Sequence, residues 1–422
     1  MKKLKRLAII GSGISGLTTA FELYEHYDIT LFEKEDYFGG HTDTHELLVD
    51  DETAKVDSGF IIFCPDYYPN FSNMLSRLEL GFEETDMSFS VLNHNNGLVY
   101  NATSLNKMFC QRRNLFRLRF YRMLFDIVRF YSRASKVLDA DDEQTSVGEY
   151  LNKHNYGKGF AEDHLLPMVS ALWSASPEHV LQFPIRHLAE FFQSHGLFKI
   201  INRPKWYVIK NGSSAYVNAL RKLLPINWSS SNEVISVKRD TMVEVTTKDL
   251  QLHYFDAVVF ANHADQVLSI LDDASDIEKS VLGAIPFQKN HVLVHTDVAV
   301  MHPNPRSWAS WNAEVPKSNN HHTQNACTVN YWMNSLQNLT LKTNVFASLN
   351  SSHKIDPRKV LVERFYQHPV FTAQSVAAQN KKTLLDGQRS SYFVGAYWGW
   401  GFHEDGARSA VEVSKLIREQ IK

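Results

Sequence analysis

Apolar positions fall into short runs at the start of the chain. Leu7, Ala8, Ile9 and Ile10 are consecutive and apolar, as in a strand buried on both faces. The run stops at Gly11-Ser12-Gly13-Ile14-Ser15-Gly16, after which Ile14, Leu17, Phe21 and Tyr24 recur at helical spacing. Ile29-Thr30-Leu31-Phe32 reads as a second strand closing on Glu33. A strand, glycine-rich turn, helix and strand with a terminal acid form the unit that cradles a dinucleotide. Gly11 permits the tight turn, Gly13 lets pyrophosphate approach the backbone, and Gly16 lets helix pack on strand. The helix start adds unpaired N–H groups and a positive dipole end. Glu33, 20 residues beyond Gly13, stands where a carboxylate accepts hydrogen bonds from ribose hydroxyls. This unit alone is compatible with FAD or NAD.

The same kinds of pattern recur later. Lys210-Asn211-Gly212-Ser213-Ser214 precedes a predicted helix from Tyr216 to Leu224. Strands follow around Val234–Val237, Met242–Val245 and Phe255–Asn262, and another at Tyr392–Ala396. Gly399-Trp400-Gly401-Phe402-His403-Glu404-Asp405-Gly406-Ala407 opens a last helix to about residue 421, with Ala410, Val413 and Ile417 on one face.

These stretches, with Gly39-Gly40-His41 and Val56-Asp57-Ser58-Gly59-Phe60, resemble the flavin amine oxidase superfamily, which includes monoamine oxidases, protoporphyrinogen oxidase and phytoene desaturases. The resemblance implies non-covalent FAD on an α/β, Rossmann-type domain of the amine oxidase/p-hydroxybenzoate hydroxylase-like two-domain fold, beside an α+β substrate domain. It assigns 1–75, 205–285 and 386–422 to the FAD domain and 76–204 and 286–385 to the substrate domain. The implied FAD contacts are Gly11 to Gly16, Glu33, Lys34, Gly40, His41, Gly59, Phe60, Val234, Ala261, Gly395, Glu404, Asp405, Gly406 and Ala407. His41 stands where relatives usually carry Arg. A lysine that many amine oxidases place near the flavin has no counterpart here, the matching positions being Asn290 or His291 rather than Lys289. His403, Trp398, Tyr397 and His291 are the candidate catalytic side chains, and core packing or a structural role is the plainer alternative for each.

Composition narrows the function. The 422 residues suggest two domains, and 44% hydrophobic with 21% charged residues is ordinary for a globular chain. A net charge of −2 argues against nucleic acid as a general partner. Three widely spaced cysteines form neither a disulfide framework nor a metal motif. His403-Glu404 lacks the second histidine of a zinc-protease motif, and His321-His322 with Cys327 lacks a fourth ligand, so no metal is expected. The run Leu7–Ile10 is too short for a secretion signal, and no run approaches the ~20 apolar residues of a spanning helix. The expected location is the cytoplasm, or the inner face of the membrane as a peripheral protein.

That last reading rests on residues 107–136. Nine Lys/Arg residues there face one acid, Asp126, with Phe and Tyr interleaved. Taken as one helix, Arg112, Arg119, Arg122, Arg129 and Arg133 share an arc of roughly 100°, with the aromatics opposite. A basic amphipathic helix suits a membrane surface, and a buried helix with a solvated Arg face is the plainer alternative. Trp308, Trp311, Tyr331 and Trp332, with Tyr397, Trp398 and Trp400, are candidates for an apolar substrate channel.

The stretches Asp57–Phe63 and Gly395–Gly406 are similar to one bacterial branch of the superfamily, associated with cyclopropane fatty acid synthase-type methyltransferases and with a methylene-fatty-acid desaturase. This resemblance implies a lipid, specifically fatty-acyl, substrate whose hydride passes to flavin N5, and a lipid methyltransferase as partner. The alternatives are an oxidase of a soluble amine and a non-catalytic flavoprotein.

Overall fold

The computed structural model describes residues 4–139, 144–199, 202–317 and 327–420. His321 and His322, weighed above as metal ligands, and Met1 to Lys3 lie outside them.

Five parallel strands form the first sheet, in the order Asn227–Ser229, Tyr27–Phe32, Lys5–Ile10, Ala257–Phe260, Ser391–Phe393. Ile10 is in register with Phe32 on one side and with Phe260 on the other. The strands therefore end level, and the residues that follow them, Gly11, Glu33 and Ala261, stand side by side at one edge. Both faces are covered, which is why the central strands are unbroken apolar runs. Leu7, Ile9, Ile29 and Leu31 pack under the helices Ile14–Leu23, Ser214–Leu223 and His403–Gln420. Ala8, Ile10, Val258 and Phe260 pack against Val237, Val243 and Val245 of a three-stranded antiparallel sheet.

A seven-stranded sheet stands apart from the first. Its order is Val360–Pro369, Phe287–His295, Phe346–Leu349, Thr328–Trp332, Trp311–Val315, Phe89–Asn93, Leu98–Asn101. All its pairings are antiparallel except that of Trp311–Val315 with Phe89–Asn93. Helices including Leu118–Arg133, Leu166–Trp173 and Ile185–Ser194 build an aromatic core around Phe130, Phe160, Trp173, Phe191 and Phe192. Among the described residues no helix is long and apolar enough to cross a membrane.

The expectation of one amphipathic helix over 107–136 is corrected. The stretch holds a short helix Leu105–Met108, a 3-10 turn Arg112–Phe116, the helix Leu118–Arg133 and a second 3-10 turn Ala134–Asp139. Arg117, with φ −100° and ψ 107°, is extended and breaks the phase, so Arg112 does not share a face with Arg119. The arginines also do not form a free stripe. Arg122 and Arg129 both pair with the fully buried carboxylate of Asp126, and Arg119 pairs with Glu162 and Asp163.

Candidate active site

The level ends of the parallel strands open onto a cavity of about 360 Å³ lined by Gly11, Ser12, Gly13, Glu33, Lys34, Gly40, His41, Val234 and Ala261, among others. The three glycines of the turn differ in what surrounds them. A Cβ on Gly11, whose φ is +102°, would meet the Ala261 carbonyl at 2.9 Å, and one on Gly16 would stand 2.0 Å from the Gly11 oxygen. A Cβ on Gly13 would meet nothing within 4 Å. Two glycines thus close the backbone up, and the third leaves open the space a pyrophosphate needs. Gly40 (φ +60°) brings its backbone against Gly13, with 3.1 Å from a built Cβ to the Gly13 Cα.

Glu33 is buried and accepts hydrogen bonds from the Ser12 amide (3.0 Å), the Ser12 hydroxyl (2.6 Å) and the Glu35 amide (3.0 Å). It fixes the glycine turn as well as lining the cavity. Donors, open backbone and acid fit the adenosine diphosphate half of FAD.

At the inner end of this cavity His41 lies 5.0 Å from the Tyr366 ring and 5.2 Å from His368, with His263 6.2 Å away. Its Nε2 is shielded from solvent and has no hydrogen-bond partner. Burial, reinforced by His263, brings the His41 pKa down to about 4, so the ring is neutral at pH 7. An unpartnered buried ring nitrogen beside an open cavity fits a ligand that hydrogen-bonds there.

Beyond His41 lies a second cavity, of about 170 Å³, and Tyr366 lines both. Its wall is largely apolar, including Leu172, Phe191, Trp206, Val292, Trp311 and Leu349, and among the described residues it contains no Asp, Glu, Lys or Arg. Its histidines are uncharged at neutral pH. Burial lowers His195 to about 4 and His368 to about 3, and holds His403 well below its ordinary value. Gly59 and Phe60 border this cavity. A Cβ on Gly59 would be 2.1 Å from the His41 oxygen, so the two segments can be this close only with glycine there.

His403 begins the last helix and stacks on Phe60 at 3.5 Å. Its Nε2 is 3.1 Å from both the Thr42 and Tyr216 hydroxyls. This neutral, doubly partnered ring packs and positions, and it is not a free base at neutral pH.

The remaining candidates are dispersed. His291 lies outside both cavities, bonded to Glu363 (2.8 Å) and stacked on Phe365. Strand alternation turns the adjacent Asn290 inward instead, where its Nδ2 is 2.8 Å from His368 Nδ1. Tyr397 packs on Phe287 and Trp398, and Trp398 with Trp400 lines a separate cleft near Arg408. Of the aromatic candidates, Trp311 and Tyr331 line the apolar cavity, whereas Trp308 and Trp332 pack on each other. Near the last helix, Gly406 packs against Ile14 and Ser15, Gly395 donates to Ser409, and Ala407 is buried. The Glu404 carboxylate accepts from the Asn70 and Phe71 amides, and that of Asp405 from the Trp400 and Phe402 amides. These carboxylates tie the chain together and do not line either cavity.

Tyr366 and His368 are cavity-lining residues that sequence reading missed. They sit near the end of the strand Val360–Pro369, and no local motif marks them.

One group of possible metal ligands occurs among the described residues: His94, Glu314 and His353, with ligand atoms within 4.8 Å of one another. The two imidazoles lie 2.6 and 2.8 Å from the Glu314 carboxylate. Ligands at 2.0–2.1 Å from a tetrahedral ion would be about 3.3 Å apart. The separations are those of hydrogen bonds, and the group is a buried carboxylate held by two histidines.

The model of the NAD(P)-binding Rossmann-like domain matches residues 9–78. Over the whole length the chain is similar to solved structures. A CLA-producing fatty acid isomerase from P. acnes superposes with a TM-score of 0.68 at 15% identity, covering 100% of both chains. The chain has the two-domain fold of flavin amine oxidase-like proteins. Cyclohexylamine oxidase from Brevibacterium oxydans IH-35A (TM-score 0.66, 14% identity, 99% of both chains) and a triple mutant of putrescine oxidase (0.68, 12%, 99% of both) share it. No curated protein matches this chain.

Proposed function

We propose that the chain is an FAD-dependent oxidoreductase that dehydrogenates an apolar, fatty-acyl-type substrate. The reading is carried by one observation: a cavity with no Asp, Glu, Lys or Arg among the described residues, and with its histidines neutral, meets the dinucleotide cavity at Tyr366. An ammonium or carboxylate brought into such a wall would lose hydration without a counter-charge, which costs several kcal/mol. An alkyl chain would lose nothing of the kind.

Gly11 to Gly13, Glu33, Lys34, Gly40, His41, Val234 and Ala261 are the residues that would hold FAD. Bound flavin supplies the acceptor for a hydride and its electron pair, which oxygen or a quinone later removes. The protein's part is positional. Leu172, Phe191 and Trp311 exclude water, and the Thr42 and Tyr216 hydroxyls fix the His403 ring. Tyr366 is held by its hydroxyl to Ser58 (2.6 Å) and to the Asp43 carboxylate (3.2 Å). No side chain is required as a nucleophile.

A second reading, oxidation of a soluble amine taken up neutral, is favoured by the perpendicular Trp311–Tyr331 pair at 4.8 Å, whose rings offer apolar walls to such an amine. Anaerobic mixing separates the two. Loss of the flavin absorbance with fatty-acyl lipids but not with polyamines supports the lipid reading. Reduction by amines alone overturns it in favour of the second, and reduction by neither removes both.

A further inference from the structure

The helix Leu118–Arg133 carries two apolar stripes where a domain helix ordinarily carries one. Phe120, Met123 and Phe130 are buried in the protein. Leu118, Tyr121, Phe125 and Val128 recur at helical spacing on another face and are exposed, Leu118 at 86%. Residues just before the helix are exposed as well: Phe116 at 88%, Leu105 at 81%, and Leu115. Scattered exposed leucines are ordinary, but aromatic and aliphatic residues at successive turns of one exposed face mark an interaction site.

The charge around the stripe narrows the partner. Arg112, Arg113, Arg133 and Lys136 are exposed and Arg117 is half-buried. In 105–136 the only acid is Asp126, which is buried between Arg122 and Arg129. Glu162 and Asp163, from the neighbouring helical turn, form their ion pairs with Arg119. What reaches outward is an apolar stripe with a cationic border. A chain–chain contact in a protein of net charge −2 would have to set this border against its own copy. An anionic bilayer offers both complements at once, acyl chains for Phe116, Leu118 and Phe125, and phosphates for the arginines.

We propose that residues 105–133 dock the protein on an anionic lipid bilayer, with Phe116, Leu118 and Phe125 inserted at the headgroup boundary. The proposal is independent of what the flavin oxidises.

The test is co-sedimentation of the flavin-loaded protein with vesicles of phosphatidylglycerol and phosphatidylcholine, and of phosphatidylcholine alone. Binding to the anionic vesicles is expected, weaker by about tenfold or more on neutral vesicles or at high salt. Phe116→Ser with Leu118→Ser should lower it by a similar factor, about tenfold, with the flavin spectrum and melting temperature unchanged. Arg112→Glu with Arg117→Glu should weaken only the anionic-vesicle binding. Absence of binding by the parent protein, or equal binding by the Phe116/Leu118 variant, overturns the proposal. So does concentration-dependent self-association, seen by ultracentrifugation and removed by the same variant, if vesicles are not bound. Should the double variant lose its flavin, Phe116→Ser alone is the substitute.

Discussion

The rings of His41 and His368 stack at 5.2 Å with an interplanar angle of 30°, between the dinucleotide cavity and the apolar cavity. Both are neutral at pH 7, since burial holds them at about 4 and about 3. Two cationic rings at this separation would repel, so burial is also what lets them stack. The His41 Nε2 is the unpartnered atom of the pair.

Replacing His41 by Phe keeps a ring and removes that nitrogen. Loss of one buried hydrogen bond should weaken FAD binding by about tenfold, roughly 1–1.5 kcal/mol, with little change in the melting temperature of the apoprotein. Fluorescence titration of apoprotein with FAD measures this. Unchanged affinity would mean that Nε2 does not meet the cofactor.

The glycine turn offers an internal comparison. Gly16→Ala sets a methyl group against the Gly11 carbonyl, and should destabilise the apoprotein by about 1–3 kcal/mol or prevent its folding. Gly13→Ala meets no protein atom, so the apoprotein should melt as before while FAD affinity falls. Equal thermal effects of the two substitutions would contradict the assignment of Gly13 to the phosphates.

Filling the apolar cavity should slow the reaction without releasing flavin. Ala347 is buried in its wall, and Ala347→Leu adds three carbons to a space of about 170 Å³. A fall in kcat/KM of about tenfold is expected, with flavin content kept. If kcat/KM is unaffected, the substrate does not use this cavity.

Buried histidines set the acid limit of the fold. Burial lowers His41, His187, His195, His263 and His295 to about 4, and His164 and His368 to about 3. The unfolded chain takes up these protons near 6.5, so the stability involved is full above that pH and is lost as pH falls toward 4. Asp57 and Asp405, pushed up to about 6 by burial, act oppositely: their contribution is full below about 3.8 and fades as pH rises through 6. His353, raised chiefly by its hydrogen bond to Glu314, likewise stabilises below about 6.5 and loses that effect as pH rises through its folded value. The histidines with lowered values are the larger group, so urea midpoints should fall steadily from about pH 7 to about pH 4. A flat profile would show that these rings are hydrated in solution.

The dinucleotide unit was legible in the sequence because it is local. Leu7 to Glu33 is a strand, turn, helix and strand contiguous in the chain, and Gly16 answers to the backbone of Gly11 only five residues before it. Two of the parallel sheet's three remaining strands, at 257–260 and 391–393, were legible as apolar runs, since a strand buried on both faces has no polar alternation to hide it, whereas the edge strand Asn227–Ser229 was not.

The apolar cavity was legible only in part, through Trp311 and Tyr331. Its wall gathers Phe60, Leu172, Phe191, Trp311, Leu349, His368 and His403 from distant elements, and only the tertiary fold decides which of many aromatics meet there. Tyr397 and Trp398, a few residues from the last helix, lie elsewhere, because adjacency along a chain does not fix the direction of a side chain. The sequence also contained the cations of 107–136 but not their disposition. A break at Arg117 and the buried Asp126 decide that Arg122 and Arg129 pair with that carboxylate while Phe116, Leu118 and Phe125 face out. Sequence by itself thus determined the cofactor unit, through short-range sterics and periodicity. The neutrality of the histidines and the place of the second cavity followed from burial, which exists only once distant segments have packed.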